Sequence, residues 1–66
     1  MKKLSPKEFE VIGYIVLGWT NKQIADKLCI TVDTVKAHMT SIMRKLGVSN
    51  RAKAIYVAIK NNIVDI

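Results

Sequence analysis

Lys36, Thr40 and Arg44 recur every four residues in the stretch TVKAHMTSIMRKL, with small Ala37 between the first two. At about 100° per residue, a helix through this stretch carries all four on one side. Val35, Met39, Ile42 and Leu46 fall on the opposite side, and His38 and Lys45 lie on one flank. Such a face has the chemistry for reading duplex DNA. Long or hydrogen-bonding side chains at 36, 40 and 44 can reach base edges in the major groove. Ala37 lets the backbone approach and can touch a thymine methyl. Flanking donors such as His38 and Lys45 can reach phosphates, which position a protein without carrying sequence information. Taken alone, the same residues would more readily make an ordinary solvated helix face. The elements before it must decide.

Those elements are marked by end signals. Ser5-Pro6-Lys7-Glu8 reads as an N-cap, a proline at the first helical position and a capping-box glutamate. Leu4 and Phe9 stand at the staple positions around it. Val11, Ile12, Ile15 and Val16 form the expected buried stripe, and Gly18 stops the helix. Thr20-Asn21-Lys22-Gln23 is a second capping box, with Trp19 and Ile24 at its staple positions and Ile24, Ala25 and Leu28 as its inner face. That helix is about two turns long, so tertiary packing must hold it. Three residues, Cys29-Ile30-Thr31, separate it from the next start. Asp33 in the first turn suits the positive end of the helix dipole. The third helix runs to Leu46 and stops at Gly47, and a fourth starts near Ser49 or Asn50.

The expected helices are therefore 6–17, 21–28, 32–46 and 50–61, with no strand: an all-α, compact four-helix domain spanning 1–66. The short step between the second and third helices is a helix-turn-helix geometry. Burying Leu28, Ile30 and Val35 at its corner would let the third helix protrude with its polar face outward, the presentation a major groove accepts.

Bulk properties agree. Sixty-six residues make one small domain, and half of them are hydrophobic, enough for a real core. Eleven Lys and Arg against five Asp and Glu give +6, which points to nucleic acid or an anionic surface. The single Cys excludes an internal disulfide and argues for a reducing compartment. One Cys and one His are too few for the usual closed zinc site, and no cofactor is implied. Cys29 reads as a small buried hydrophobe rather than a reactive thiol. His38 has no Ser, Cys or carboxylate arrangement that would make it a general base, so an enzyme is not expected. The longest apolar run, Val11 to Trp19, is short of the ~20 residues a spanning helix needs. Lys7, Glu8 and Glu10 interrupt any signal-peptide pattern, so the expected location is the bacterial cytoplasm. The two capping boxes and the defined turn favour a globular fold over a cationic membrane peptide.

For the fourth helix, Ala52, Ile55, Ile59 and Ile63 form the expected inner face. Lys53, Ala54, Val57 and Asn61 form the outer one, with Ala54 and Val57 as the dimer seam and Asn61 beside them. Phe9, Gly13 and Leu17 form a second line, on the first helix, away from its main stripe. It reads either as a partner surface or as a Leu4–Phe9 staple plus packing of the tail Ile63-Val64-Asp65-Ile66, the second being slightly favoured.

The segments LSPKE, TNKQIADKL, ITVDTVKAH and RKLGVSNRAKAI together closely resemble the LuxR/GerE-type DNA-binding domain, from about Leu4 to Ile63. The resemblance implies a four-helix fold with the third helix in the major groove and the fourth used for dimerisation. It implies base contacts at Lys36, Ala37 and Thr40, which Arg44 extends on the same face. It also implies phosphate-backbone roles for Asn21 and Lys22 at the second helix and for Lys45. Thr31, Thr34 and His38 match the family's run at the start of the recognition helix and join the phosphate set. Thr40 stands where a long cation is common in some members, and Phe9 where a charged or polar residue is common. No receiver or ligand-binding domain precedes the motif, and the start MKKLSPKE favours a small standalone regulator over an excised C-terminal domain. The expected function is a sequence-specific, double-stranded DNA-binding transcriptional regulator acting as a homodimer that is weak without DNA. The alternative is an interaction module that sequesters a related regulator or docks on RNA polymerase.

Overall fold

The structure, a computed structural model, describes residues 3–63. Four helices follow in order: α1 (Pro6–Val16), α2 (Asn21–Leu28), α3 (Val32–Leu46) and α4 (Arg51–Lys60). α1 ends one residue earlier than its sequence pattern suggests, and α4 is one residue shorter at each end. No strand occurs among the described residues. The tail residues Val64 to Ile66, which the sequence reading packed near Phe9, lie outside the described residues.

Each start is capped by a polar side chain. Ser5, Thr20, Thr31 and Asn50 each accept the backbone N–H three residues on. Two of the caps are full boxes. Glu8 accepts the Ser5 N–H at 2.8 Å, and the Gln23 side chain accepts the Thr20 N–H at 2.8 Å. At Thr31 the third residue is Thr34, and the two hydroxyls bond each other at 2.9 Å instead.

The stops share one geometry. Gly18, Cys29, Gly47 and Asn62 all have positive φ. The residue after each donates its N–H to a carbonyl five positions back: Trp19 to Tyr14, Ile30 to Ala25, Val48 to Met43 and Ile63 to Ala58. This is the Schellman arrangement, in which a left-handed residue turns the chain and the next, apolar residue folds back over the last turn. All four followers are partly buried against the core. The chain therefore changes direction abruptly after every helix, and the helices can be short and steeply packed.

α3 is the central element. It packs on α1, α2 and α4, and α1 also packs on α4. The core comprises Leu4, Val11, Ile12, Ile15, Ile24, Ala25, Val35, Met39, Ile42, Ala54 and Ala58. Three expectations are corrected here. Val16 is only partly buried, because the fourth place in the α1 stripe, one turn before Val11, is taken by Glu8, 4% exposed. Cys29 is exposed rather than buried, because its left-handed conformation turns the side chain off the α2 stripe at the apex of the turn. The inner face of α4 is rotated by one residue, about 100°. Ala54 and Ala58 are fully buried, whereas Ala52 and Ile59 are exposed. Two alanines allow a close approach of the α4 backbone to α1 and α3 that a row of isoleucines would prevent. Ala54 is thus a core residue and cannot belong to a dimer seam.

Candidate nucleic-acid interface

The burial pattern of α3 fixes its orientation. Val35, Met39 and Ile42 are buried, and Asp33, Lys36, Ala37, Thr40 and Arg44 are exposed along the opposite side. The four expected base-reading residues are therefore brought together on one open stripe, and Asp33 joins them at its N-terminal end. The Thr40 hydroxyl donates to the Lys36 carbonyl at 3.1 Å. That spends its proton on the helix and leaves its oxygen as an acceptor toward solvent.

The N-terminal edge of α3 holds the threonine pair. Thr31 is exposed and Thr34 half-buried. With the Thr34 N–H on Thr31 and one hydroxyl bonded to the other, a single hydroxyl proton remains for an outside acceptor. His38 is half-buried on the flank. At the start of α2, Lys22 is exposed and Asn21 half-buried. The Asn21 side-chain oxygen accepts from Arg51 Nη1 at 3.0 Å, and Arg51 Nη2 donates to the Trp19 carbonyl at 3.2 Å. Arg51 thereby ties the start of α4 to the loop that launches α2, and Asn21 presents its amide nitrogen with the other end already held. Trp19 is itself fixed by stacking on Tyr14, with ring centroids 4.4 Å apart.

Further along the same flank, α3 meets α1 through Glu8. One carboxylate oxygen accepts the Ser5 N–H and Lys45 Nζ at 2.7 Å, and the other accepts the Ser41 hydroxyl at 2.5 Å. Burial by itself would raise this carboxyl above its ordinary value. The hydrogen bonds from Lys45, Ser41 and the Ser5 N–H, with the Lys45 charge, overcome that and bring it from 4.5 down to about 2. Lys45 is mostly covered, with 22% of its side chain exposed. Lys45, the lysine expected to serve the DNA backbone, spends one ammonium donor on neutralising the buried Glu8 carboxylate.

Two residues that tie these elements together were not singled out from the sequence. Glu8 was read only as a cap, and Arg51 had no role. Both act across more than thirty residues of chain, and no local pattern signals such a partner. On α4, Asn61 donates its side-chain amide back to the Val57 carbonyl at 3.1 Å, and Val57 is partly buried. The large exposed apolar side chains of that helix are Tyr56, 62% exposed, and Ile59, 44%. Among the described residues no group of three or more His, Cys, Asp and Glu could hold a metal ion, and no helix is long and apolar enough to cross a membrane.

Comparison with known proteins places this geometry. The family model for bacterial regulatory proteins of the luxR family, GerE, matches residues 2–58. The chain belongs to the LuxR family. It is 42% identical over 64 residues to the transcriptional regulatory protein LiaR of Bacillus subtilis, and 41% identical over 64 residues to the oxygen regulatory protein NreC of Staphylococcus aureus. Each match covers 97% of this chain and 30% of the relative, so the chain spans under a third of their length. Among solved structures it superposes with a TM-score of 0.89 on the response regulator ChrA of a heme-sensing two-component system, at 39% identity, over 97% of this chain and 32% of that one. It superposes on the transcription factor GerE with a TM-score of 0.88 at 29% identity, over 97% of both chains. The LuxR-type chain is thus a DNA-binding helix-turn-helix domain of a transcription regulator family, with α2 and α3 as the helix-turn-helix, and that family is not one of enzymes.

Proposed function

We propose that this LuxR-type domain binds a specific double-stranded DNA sequence as a homodimer, with α3 in the major groove, and so regulates transcription in the bacterial cytoplasm. The observation that carries the reading is the orientation of α3. Its apolar side is sealed into the core, which leaves Lys36, Ala37, Thr40 and Arg44 facing out together. Lys36 and Arg44 suit guanine O6 and N7, and Ala37 suits a thymine methyl. Thr40, with its proton on the helix, suits an exocyclic amino group. Lys22, Asn21, Thr31, Thr34 and His38 flank this stripe as phosphate donors, and the first-turn N–H groups of α2 and α3 add to them. The net charge of +6 supplies the long-range attraction.

A selection from a random duplex pool at about 150 mM salt tests this directly. The expected result is an enriched two-fold symmetric site with half-sites about one helical turn, ~10 bp, apart. Lys36→Ala then relaxes the preference at one position per half-site and costs about 1–3 kcal/mol on the selected sequence. No enrichment, with binding that fades uniformly as salt rises, would reduce the interaction to backbone electrostatics and sink the reading.

A further inference from the structure

We infer that Asp33 sets base preference, its carboxylate accepting the N4 amino group of a cytosine in each half-site. The inference rests on the DNA-binding reading above and adds to it a residue and a base.

Asp33 is exposed and lies on the open stripe of α3, at i relative to Lys36 (i+3), Ala37 (i+4), Thr40 (i+7) and Arg44 (i+11). The other two residues of the first turn, Val32 and Thr34, are half-buried to either side. Position 33 is thus the place in that turn that looks outward with the reading face. In a helix-turn-helix, the N-terminal residues of the second helix are those that reach base edges. Among the described residues the carboxylate has no ion-pair partner. The ion pairs among the described residues are Lys7–Glu10 and Lys45–Glu8, and Lys36 one turn away is not within 4 Å of it.

Attraction to the α3 dipole accounts for an acidic residue in this turn. It does not account for what that residue does once DNA is bound. A carboxylate only accepts hydrogen bonds. Phosphates repel it, and so do the acceptors of guanine (O6, N7) and thymine (O4). The donors in the major groove are the cytosine N4 and adenine N6 amino groups. Adenine places its N7 acceptor beside the amino group, against the second carboxylate oxygen, whereas cytosine presents a C–H there. Cytosine is therefore the favoured partner. Lys36 lies about 4.5 Å further along the helix axis, so its ammonium can take guanine O6 or N7 of the same or the next base pair. An acceptor and a donor one turn apart match the two edges of a C·G step.

The test is the same selection run with the native protein, Asp33→Ala and Asp33→Asn, each checked for helical circular dichroism. The native protein is expected to fix a cytosine at one position per half-site. Asp33→Ala keeps the rest of the site, loses about ten-fold discrimination at that position, and binds non-specific duplex more tightly because a repulsive charge is gone. Asp33→Asn, which keeps the size of the side chain, moves that position toward adenine, whose N6 and N7 pair with an amide. Undiminished cytosine preference in both variants overturns the proposal and leaves Asp33 as a helix-dipole residue. A native protein that enriches a site with no cytosine opposite position 33 also overturns it, while leaving the DNA-binding reading intact. A native protein that enriches no site overturns both.

Discussion

Glu8 performs two tasks with one carboxylate: it caps α1 and it receives Ser41 and Lys45 from α3. Its folded-state value of about 2 lies below the ordinary 4.5. The unfolded chain therefore takes up the proton first as acid is added, and stability falls with pH. The contribution is fully present above pH 4.5 and is lost as pH drops toward 2. Urea titrations at stepped pH are expected to show this loss. Lys45→Met is expected to lower stability near neutral pH by about 2 kcal/mol, the scale of a hydrogen bond to a charged group, and to raise the Glu8 midpoint. It leaves the salt dependence of DNA binding unchanged, which a phosphate-contacting lysine would not. The first half of this arrangement was legible in Ser-x-x-Glu, and the second was not, since its partners lie 33 and 37 residues away. Cys29 shows the opposite failure. Its character as a small hydrophobe suggested burial, but the turn needs φ of 58° there and so points it outward. An L-residue in that conformation costs about 1–2 kcal/mol, and glycine costs about 0.5–1 kcal/mol in unfolded-state entropy. Cys29→Gly is therefore expected to raise stability by about 0.5–1 kcal/mol in thermal or urea melts.

At the scale of elements, starts and stops were legible and faces only partly so. Ser5, Thr20 and Asn50 with their downstream partners are local signals, and Gly18 and Gly47 are the preferred residues for a left-handed stop. Cys29 and Asn62 make the same stop without glycine, so only the flanking periodicity reveals them. The face of α3 was read correctly because its apolar residues are large and regularly spaced. The face of α4 was read one residue off because burial there follows fit rather than hydrophobicity: alanines at 54 and 58 face α1 and α3, and Ile59 is left outside. A sequence pattern ranks isoleucine above alanine and cannot know how close two helices come. Within α1, Gly13 sits mid-helix with normal backbone conformation, and a Cβ built there meets nothing within 4 Å. Gly13→Ala is expected to stabilise the domain by about 0.5–1 kcal/mol through helix propensity. An unchanged or lowered melting temperature would mean that the open strip between Phe9 and Leu17 is occupied in solution.

The whole molecule is small enough that its assembly can be bounded by area. The chain exposes 4332 Å², and a stable complex buries about 800 Å² per partner, close to a fifth of that surface. A ten-residue helix with two large exposed apolar side chains, Tyr56 and Ile59, offers much less. If the proposed homodimer forms through α4, self-association is therefore expected to be weak in solution and to become effective on DNA. Two chains held on adjacent half-sites meet at an effective concentration in the millimolar range. The seam consistent with this fold is the outward side of α4, Tyr56 and Ile59 with Val57 at its edge, after removal of the buried Ala54. Sedimentation at micromolar concentration is expected to show monomer, and titration of a two-half-site duplex to show steeper binding than a single half-site. Replacing Tyr56 and Ile59 together by Ala and Asp should abolish that steepness while leaving half-site affinity within about two-fold, because neither residue lies on α3 and surface changes are usually within ±0.5 kcal/mol. Retained cooperativity in the double variant would move the seam to the other exposed apolar line, Phe9 and Leu17 on α1, and the same titration with Phe9→Ser would then locate it.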